Sequence, residues 1–267
     1  MKTLRTAVEV RGALEPFRAG STVALVPTMG AYHDGHLSLF RAARAEANVV
    51  VASLFVNPAQ FGPAEDFAEY PRDERRDGGL AADAGVDFLF APTAAELYPP
   101  GFQTWVEVEE ISRTLEGAHR PGHFRGVATV CLQLFNIVRP QLAYFGLKDA
   151  QQAAVVQQLV RDLHLELRVR VLPTVRDADG LALSSRNVHL SPAERQTALA
   201  LPRALAAGAE AALRGADPVA AAHAALNGLT PDYVATLEVD GRRVLAAAVR
   251  VGRTRLIDNV PLEGAPT

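Results

Sequence analysis

Two histidines three residues apart, His33 and His36, are the side chains of this sequence whose types and spacing most clearly suggest chemistry. They belong to the segment Met29–His36, which follows a short apolar run, Thr22–Pro27, and precedes a helical pattern. At a helix start, free backbone N–H groups and the helix dipole favour a bound anion. Two imidazoles there could stabilise charge that develops on a phosphate in a transition state. A two-histidine metal half site is the alternative, but no third ligand stands nearby in the sequence.

A lysine stands at a second place where a strand pattern runs into a helical one. Lys148 follows the apolar run Gln141–Phe145, and Asp149 and Gln152 come shortly after it. Lysine offers a compact point charge to a phosphate, and Asp149 suits a helix cap or a ribose contact. Gln152 lies one helical turn beyond Lys148 on the same face. A lysine taken alone is usually only solvated, so its place at the end of a strand is what favours a functional interpretation.

Two further segments carry polar groups that could bind a ligand. Ser184, Ser185 and Arg186 offer two short hydroxyl donors and a planar guanidinium fork, which suits a polyphosphate. A loop that caps the following helix is the alternative interpretation. Asn57 and Gln60 follow the second strand pattern and could hydrogen-bond a small polar substrate, although ordinary turn chemistry explains them equally well.

The apolar pattern predicts the elements that must position these residues. Strand patterns at 22–27, 48–56, 86–91, 141–145 and 166–172 alternate with helical patterns at 36–47, 71–84, 126–138 and 148–163. Strands without a polar face that alternate with helices indicate a parallel sheet covered on both sides. Right-handed crossovers then give an α/β fold with a Rossmann-like doubly wound parallel sheet, in which ligands bind at the carboxyl ends of the strands.

The pattern changes after residue 174. Ala-rich helical stretches at 192–215 and 218–226 precede strand patterns at 233–239, 245–251 and 254–259. Asp240-Gly241 and Gly252-Arg253 are turn pairs that would make these strands antiparallel. We therefore predict a Rossmann-like domain at 1–174 and a second, smaller α+β C-terminal domain at 175–267.

Composition and absent motifs argue against several classes of protein. The 267 residues have a net charge of −3, and no basic cluster suits the phosphates of nucleic acid. The single cysteine, Cys131, cannot form an internal disulfide. The first residues lack the apolar core of a signal peptide, and no window is apolar enough to span a membrane. The P-loop, G-x-G-x-x-G and H-E-x-x-H motifs are also missing. We predict a cytoplasmic protein with neither nucleic-acid nor membrane partners.

The ordered set of segments resembles the pantothenate synthetase family, of the nucleotidyltransferase superfamily that carries an H-x-G-H element. The stretches that carry the resemblance occur in the family's order and spacing from about Thr22 to Asn259: VPTMGAYHDGH, SLFVNPAQFGP, EYPRD, FRGVATV, FGLKDAQQ and PTVRDADGLALSSRN. The resemblance implies ATP-dependent condensation of pantoate with β-alanine through pantoyl adenylate, with release of AMP and pyrophosphate. It also implies Mg²⁺ alongside ATP, a homodimer, a first domain that binds nucleotide and pantoate, and a C-terminal lid domain.

Matched residue by residue, the resemblance implies roles for the polar segments. The catalytic residues would be His36, His33, Lys148 and Arg186. ATP would be bound by Met29, Gly30, Ala31, Tyr32, His33, Asp34, Gly35, His36, Gly146, Leu147, Lys148, Asp149, Val175, Leu183, Ser184, Ser185 and Arg186. The other substrates would be bound by Gln60, Gln152, Asn57 and Tyr70. Asp77 aligns with an acidic position near the metal, beside Arg76, which stands where a second acid is often found. His119, His123 and Arg125 form a basic loop to which no role is assigned.

Two other interpretations stay open at this point. Another H-x-G-H nucleotidyltransferase would transfer a nucleotide onto a phosphate, and the paired glutamines Gln60 and Gln152, without a second basic pocket, argue against it. A non-catalytic nucleotide sensor could keep the same fold. The intact pair of histidines, Lys148 and Arg186 argue against a sensor, and an activity assay would distinguish it from an enzyme.

Overall fold

The computed structural model describes residues 1–62 and 67–262, and the chain divides into two compact units. Unit 1 comprises residues 1–145 and 155–172, and unit 2 comprises residues 146–154 and the chain from Pro173 onward. The main division therefore falls close to the predicted boundary after residue 174. Residues 146–154, which the sequence analysis placed in the first domain, group with unit 2. Their link is Asn259, whose Nδ2 donates to the carbonyls of Leu147 and Lys148 at 2.7 and 3.0 Å.

Unit 1 is built on a parallel sheet. Its strands are β1 (Lys2–Leu4), β2 (Val23–Thr28), β3 (Val49–Leu54), β4 (Phe88–Phe90), β5 (Leu142–Gly146) and β6 (Arg168–Leu172). Within the described residues they form one six-stranded sheet in the order β1-β4-β3-β2-β5-β6. The helices of this part of the chain are α1 (Ala7–Leu14), α2 (Asp34–Glu46), α3 (Glu74–Asp83), α4 (Ala94–Leu97), α5 (Glu116–His119), α6 (His123–Val138) and α7 (Ala150–Asp162). The predicted Rossmann-like fold class is confirmed.

The strand order reverses beside β2. The strands that follow β2 along the chain, β3 and β4, lie on one side of it, whereas β5 and β6 lie on the other. In a doubly wound sheet this reversal opens a crevice at the carboxyl ends of the strands, where ligands bind. Met29–His36 leaves β2 at this end of the sheet. The fold therefore places the histidine pair where a Rossmann-like sheet binds its ligand.

Both faces of the sheet are covered, as the continuous apolar strands predict. Along β2, Val23 and Leu25 join a core with side chains of α1, α6 and α7, and Ala24 and Val26 join a second core with α2 and α3. Cys131 of α6 is buried in the first of these cores, and burial raises the pKa of its thiol to about 12. It is a small core residue, as expected of a lone cysteine.

Unit 2 combines helices with an antiparallel sheet. It contains α8 (Pro192–Ala198), α9 (Ala200–Leu213), α10 (Pro218–Ala225), β7 (Pro231–Val239), β8 (Arg242–Val251) and β9 (Thr254–Pro261). The strands pair in the order β7-β8-β9, as predicted. Asp240 and Gly241 both have positive φ, 56° and 70°, which a two-residue type I′ hairpin turn requires. The helical stretch predicted for 192–215 forms two helices that meet at Leu199. Across the described ranges, no helix is long and apolar enough to cross a membrane.

Candidate active site

The histidine pair lies on the first turn of α2. His33 is the N-cap residue, with an extended backbone, and its Nδ1 accepts the N–H of Gly35 at 3.2 Å. Nδ1 of His36 accepts the N–H of His33 at 3.4 Å, and the two ring centroids are 4.2 Å apart. Because both Nδ1 atoms accept backbone N–H groups, each neutral ring carries its proton on Nε2. The helix start therefore presents two imidazole Nε2–H donors side by side.

The backbone amides of this turn are used by the protein itself. The N–H groups of Ala31 and Tyr32 bind the carboxylate of Asp77, and those of His33 and Gly35 bind the two imidazole rings. The sequence pattern had suggested that free amides at this helix start would bind an anion. The amides of Ala31, Tyr32, His33 and Gly35 are therefore not the free anion-binding donors that the pattern suggested.

Asp77 holds the loop in front of α2. Its carboxylate is fully buried, with Oδ2 accepting the Ala31 N–H at 2.7 Å and Oδ1 accepting the Tyr32 N–H at 2.9 Å. Arg76 completes the clamp, because its Nη2 donates to the Tyr32 carbonyl at 3.1 Å while Nη1 lies 3.3 Å from Asp77 Oδ1. Hydrogen bonds to an ionised carboxylate are stronger than neutral ones. The start of α3 therefore fixes the conformation of the predicted phosphate loop.

The clamped loop has a backbone that few sequences could adopt. Gly30 has φ 95°, and the next residue, Ala31, has φ 53°. A Cβ at Gly30 would lie 2.7 Å from Cδ1 of Leu54 and 2.9 Å from Oδ2 of Asp77, so glycine is needed for space as well as for conformation. A left-handed alanine costs free energy and persists only where its surroundings enforce it. The Asp77 carboxylate supplies that enforcement.

Asp77 has a structural role in the protein. Each of its carboxylate oxygens accepts one backbone N–H group and keeps a second lone pair, and Arg76 stands beside them where the resemblance often has a second acid. In residues 1–62 and 67–262, no group of three His, Cys, Asp or Glu side chains could hold a metal. The geometry therefore supports an anchoring role for Asp77, and the metal role that the resemblance implied stays a prediction.

We expect Asp77→Asn to raise the KM for ATP about 10- to 100-fold, because an amide cannot accept both loop N–H groups as a carboxylate does. The concentration of Mg²⁺ that gives half-maximal rate, measured at saturating ATP, should stay unchanged. Asp83→Asn, an exposed substitution at the end of the same helix, is the control and should change neither value. A shift in the Mg²⁺ requirement without a change in the KM for ATP would make Asp77 a metal ligand after all.

The predicted substrate residues of unit 1 form a buried cluster beside the loop. Asn57 and Gln60 are only 1% and 7% exposed. Asn57 Nδ2 donates to Gln60 Oε1 at 3.1 Å, and Gln60 Nε2 lies 3.1 Å from the sulfur of Met29. The buried ring of Tyr70 packs edge-on against Phe61, which follows Gln60 in the chain. The structure thus brings Asn57 and Gln60, both predicted to bind substrate, into contact with each other, and Gln60 into contact with Met29, which was predicted to bind ATP.

His123 anchors this cluster, a role that the sequence did not reveal. Its Nε2 lies 3.2 Å from Nη1 of Arg120, and its Nδ1 lies 2.8 Å from the carbonyl oxygen of Gln60. Arginine can only donate, so Nε2 is the acceptor and Nδ1–H donates to Gln60. The other basic residues of the loop lie elsewhere: Arg125 covers the ring of Trp105 at 4.6 Å, and His119 is exposed at the end of α5.

Gly126 allows the first turns of α6 to pack against the turn Pro58–Gln60. A Cβ at this position would lie 2.3 Å from the carbonyl oxygen of Ala59 and 2.6 Å from the backbone nitrogen of Gln60. Real side chains do not come so close to backbone atoms, so the turn that carries Gln60 would have to move.

We expect Gly126→Ala to raise the KM for pantoate at least about tenfold, because displacement of a substrate-binding group by an ångström costs binding energy and rate. The melting temperature should also fall, as overpacking a core usually costs stability. Gly12→Ala in α1 is the matched control, since a Cβ there meets nothing within 4 Å. Steady-state kinetics and thermal melts of both variants test this, and an unchanged KM for pantoate in Gly126→Ala would contradict it.

In unit 2, two residues of strand β9 form hydrogen bonds with the two segments of this unit that are predicted to bind ATP. Asn259, 2% exposed, holds the turn Leu147–Asp149 by its two bonds to the carbonyls there. The carboxylate of its neighbour Asp258 accepts hydrogen bonds from Nη1 and Nη2 of Arg176, at 2.7 and 2.9 Å. Burial raises the pKa of the Asp258 carboxyl, and the charge of Arg176 opposes that shift. Neither Asp258 nor Asn259 was assigned a role from the sequence, although both lie within the part of the chain that resembles the family.

The phosphate-binding residues predicted for unit 2 lie on short turns. Lys148 is in the turn Leu147–Asp149, with its side chain 21% exposed and Nζ 3.9 Å from a carboxylate oxygen of Asp149. Gln152 follows in the first turn of α7. Leu183 N–H donates to the Val175 carbonyl at 3.0 Å, which closes the loop between them.

The serine segment caps a turn of its own, whereas the following helix, α8, is capped by Ser191. Ser184 caps the short 3₁₀ turn Ser185–His189, and its Oγ accepts the N–H of Arg186 at 3.2 Å. The cap orients the turn that carries Arg186. A capping role and a ligand-binding role for the Ser184 hydroxyl are compatible, because its proton can still be donated.

Comparison with known proteins agrees with these features. The profile of the family described as pantoate-beta-alanine ligase matches residues 2–261. The chain is 52% identical over 280 residues to a pantothenate synthetase of Moorella thermoacetica, covering 98% of this chain and 99% of that protein. It superposes on the crystal structure of pantothenate synthetase from Thermus thermophilus with a TM-score of 0.92, 47% identity, and coverage of 98% and 99%. The Francisella tularensis pantoate-beta-alanine ligase, complexed with beta-gamma ATP and beta-alanine, gives a TM-score of 0.85 at 34% identity, with both chains fully covered. With the histidine pair at the end of β2 and the buried amide cluster beside it, these matches show that the chain belongs to the pantoate–β-alanine ligase family.

Proposed function

We propose that this chain condenses pantoate with β-alanine at the expense of ATP, through a pantoyl-adenylate intermediate, with the residues of the two units in the roles given below. The observation that carries the proposal is the pair of Nε2–H donors of His33 and His36 at the ligand-binding end of the sheet, in a chain of this family. The Francisella relative, solved with a form of ATP and β-alanine, supports the same two ligands here.

In the first step, a carboxylate oxygen of pantoate attacks the α-phosphorus of ATP. The new O–P bond forms as the bond to the β-phosphate oxygen breaks, and pyrophosphate leaves with the electron pair of that bond. Negative charge builds on the phosphate oxygens during this exchange, so fixed donors and cations lower the barrier. His33 and His36 donate from Nε2, and Lys148 and Arg186 supply positive charge.

In the second step, the amine of β-alanine attacks the carbonyl carbon of the adenylate. A C–N bond forms, the C–O bond to AMP breaks, and the amine loses a proton to give the amide of pantothenate. The adenylate is easily hydrolysed, so the site must exclude water between the two steps. The charged stretch 64–77 is the candidate for the wall that closes over the adenylate. Its residues 64–66 lie outside the described part of the chain, and its last residues form the first turn of α3.

Binding of the substrates is divided among the remaining residues. Gln60 and Gln152 bind pantoate through their amides, Asn57 orients Gln60, and Tyr70 lies close by. ATP is bound by the segments Met29–His36 and Gly146–Asp149 and by Val175, Leu183, Ser184, Ser185 and Arg186. Orientation of this kind accounts for much of the acceleration in reactions that need little covalent chemistry from the enzyme.

Three finer predictions also belong to the proposal. ATP is expected to react as its Mg²⁺ complex, with Asp77 as the acidic residue expected near the metal. The active protein is expected to be a homodimer and to work in the cytoplasm. Metal titration and light scattering test the first two of these directly.

The test is an incubation of the purified protein with ATP, Mg²⁺ and pantoate, with and without β-alanine, in which AMP, pyrophosphate and pantothenate are followed. We expect pantothenate and AMP in equal amounts only when β-alanine is present. Pyrophosphate release that does not depend on pantoate would indicate a different acceptor for the nucleotide. ATP binding without turnover would favour the nucleotide-sensor interpretation.

A further inference from the structure

Asn57 uses its whole hydrogen-bonding capacity inside the protein. Its Oδ1 accepts the Ala59 N–H at 3.2 Å and the Tyr98 hydroxyl at 2.9 Å, and its Nδ2 donates to the Gly126 carbonyl and to Gln60 Oε1, both at 3.1 Å. A primary amide has two N–H donors and one carbonyl oxygen with two lone pairs, so all four positions are filled.

Two backbone groups whose roles cannot change identify which end of the Asn57 amide is the oxygen. The Ala59 N–H can only donate, and the Gly126 carbonyl can only accept. A flipped Asn57 would place its NH₂ against the first and its oxygen against the second. Oδ1 therefore faces Tyr98, and the Tyr98 hydroxyl must be the donor. Burial raises the pKa of this hydroxyl, which keeps it protonated.

The orientation of Asn57 in turn decides which end of the Gln60 amide is available to a ligand. Because Asn57 Nδ2 donates to Gln60 Oε1, the Nε2 end of Gln60 is turned toward Met29, with its nitrogen 3.1 Å from the Met29 sulfur. Gln60 therefore offers an N–H donor on the Met29 side. A donor recognises the oxygens of a hydroxy acid or carboxylate, and an exposed amide oxygen would repel them.

Aromatic packing holds the Tyr98 ring in the position that this bond needs. The ring is stacked on Trp105 with centroids 5.9 Å apart, and Phe102 meets it edge-on at 5.1 Å. Trp105 is itself covered by the guanidinium of Arg125, which lies 4.6 Å from the centre of its ring. The hydroxyl can therefore be removed without removing the contacts that place the ring.

We propose that Tyr98 is a positioning residue for the ligase reaction, and that its hydroxyl acts through Asn57 to present the Gln60 N–H to the oxygens of pantoate. This inference rests on the proposed function. Tyr98 lies 41 residues from Asn57 in the sequence, outside every segment from which the site was predicted.

Tyr98→Phe tests the proposal, because it deletes only the hydroxyl. We expect the KM for pantoate to rise about three- to tenfold, the effect of one lost hydrogen bond, while the KM for ATP and the melting temperature change little. Tyr144→Phe, which removes a buried hydroxyl from β5 of the same unit, is the matched control and should leave the KM for pantoate unchanged.

A double-mutant cycle separates positioning from a merely structural role. If Tyr98 acts through Gln60, the substitution should have no further effect on pantoate binding in a Gln60→Ala background, measured by calorimetry as well as by kinetics. Additive losses in the double variant, or an unchanged KM in Tyr98→Phe alone, would overturn the inference. If Gln60→Ala itself leaves pantoate binding intact in an active enzyme, the proposed substrate site fails together with this inference. A loss in Gln60→Ala with no change in Tyr98→Phe would refute the inference alone.

Discussion

His36→Ala is expected to lower the rate of pantothenate formation about 10²- to 10³-fold. This is the usual effect of removing one fixed hydrogen-bond donor that stabilises charge developing in a transition state. The ring of His36 is held between Tyr32 and His33, with centroids 5.4 and 4.2 Å away, and its Nδ1 accepts a backbone N–H. The Nε2–H is therefore fixed before the substrate arrives. Single-turnover measurement of pyrophosphate release, with ATP and pantoate saturating, isolates the affected step.

His36→Gln is the informative second variant. The Nε2 of glutamine can reach the place of the imidazole Nε2, so this variant should recover about tenfold of the loss if donation is what matters. His223→Ala, an exposed substitution in α10, controls for the loss of a histidine as such. Rates within threefold of wild type in His36→Ala would remove the histidine from the mechanism.

Lys148→Ala is expected to lower the rate of pantothenate formation about 10²- to 10³-fold. The substitution removes a cation that stabilises the negative charge developing on the departing pyrophosphate. The lysine lies in a turn whose carbonyls accept hydrogen bonds from Asn259, and its side chain is only 21% exposed. Water therefore has little room to take the place of its ammonium group in the variant. Lys148→Arg keeps the positive charge but not the compact geometry of the ammonium group. Its rate should lie between those of the wild type and of Lys148→Ala.

The sequence offers an unusually simple control for this experiment. Its only lysines are Lys2 and Lys148, so Lys2→Ala removes the other one. Amine-directed acylation can also be followed at just these two side chains and the N-terminus. ATP should protect Lys148 and leave Lys2 unaffected. Equal protection of both, or full activity in Lys148→Ala, would contradict the role given to Lys148.

Much of the fold was predictable because its signals are local. Strands β2 to β5 are apolar runs, β6 alternates Arg168 and Arg170 with apolar residues, and helical patterns separate these strands. The turn pair Asp240-Gly241 predicted the hairpin between β7 and β8, where both residues adopt the positive φ that such a turn needs. The edge strand β1 went unpredicted because it has three residues and only Leu4 among them is buried. The break between α8 and α9 went unpredicted although Pro202 indicates it, because this residue, in the first turn of α9, has no N–H to donate to the Ala198 carbonyl.

The residues proposed to meet the substrates were predictable from motifs, and those that hold them in place were not. Asn57 and Gln60 were assigned to substrate binding and Met29 to ATP binding, and the structure brings the three residues together. Asp77 and Tyr98 owe their roles to partners 45 and 41 residues away. Such bonds leave no trace in periodicity or spacing. The roles assigned to the motif residues stay predictions until the variants are measured.

The most direct test of the account is the fate of a carboxylate oxygen. Pantoate labelled with ¹⁸O in its carboxylate is converted to pantothenate with ATP and β-alanine, and the AMP and pyrophosphate are examined by mass spectrometry. An acyl-adenylate intermediate predicts one ¹⁸O in each AMP formed and none in pyrophosphate, because the oxygen that attacks the α-phosphorus stays on AMP when the amine displaces it. Unlabelled AMP, formed together with pantothenate, would show that pantoate is activated by some other route and would contradict the mechanism.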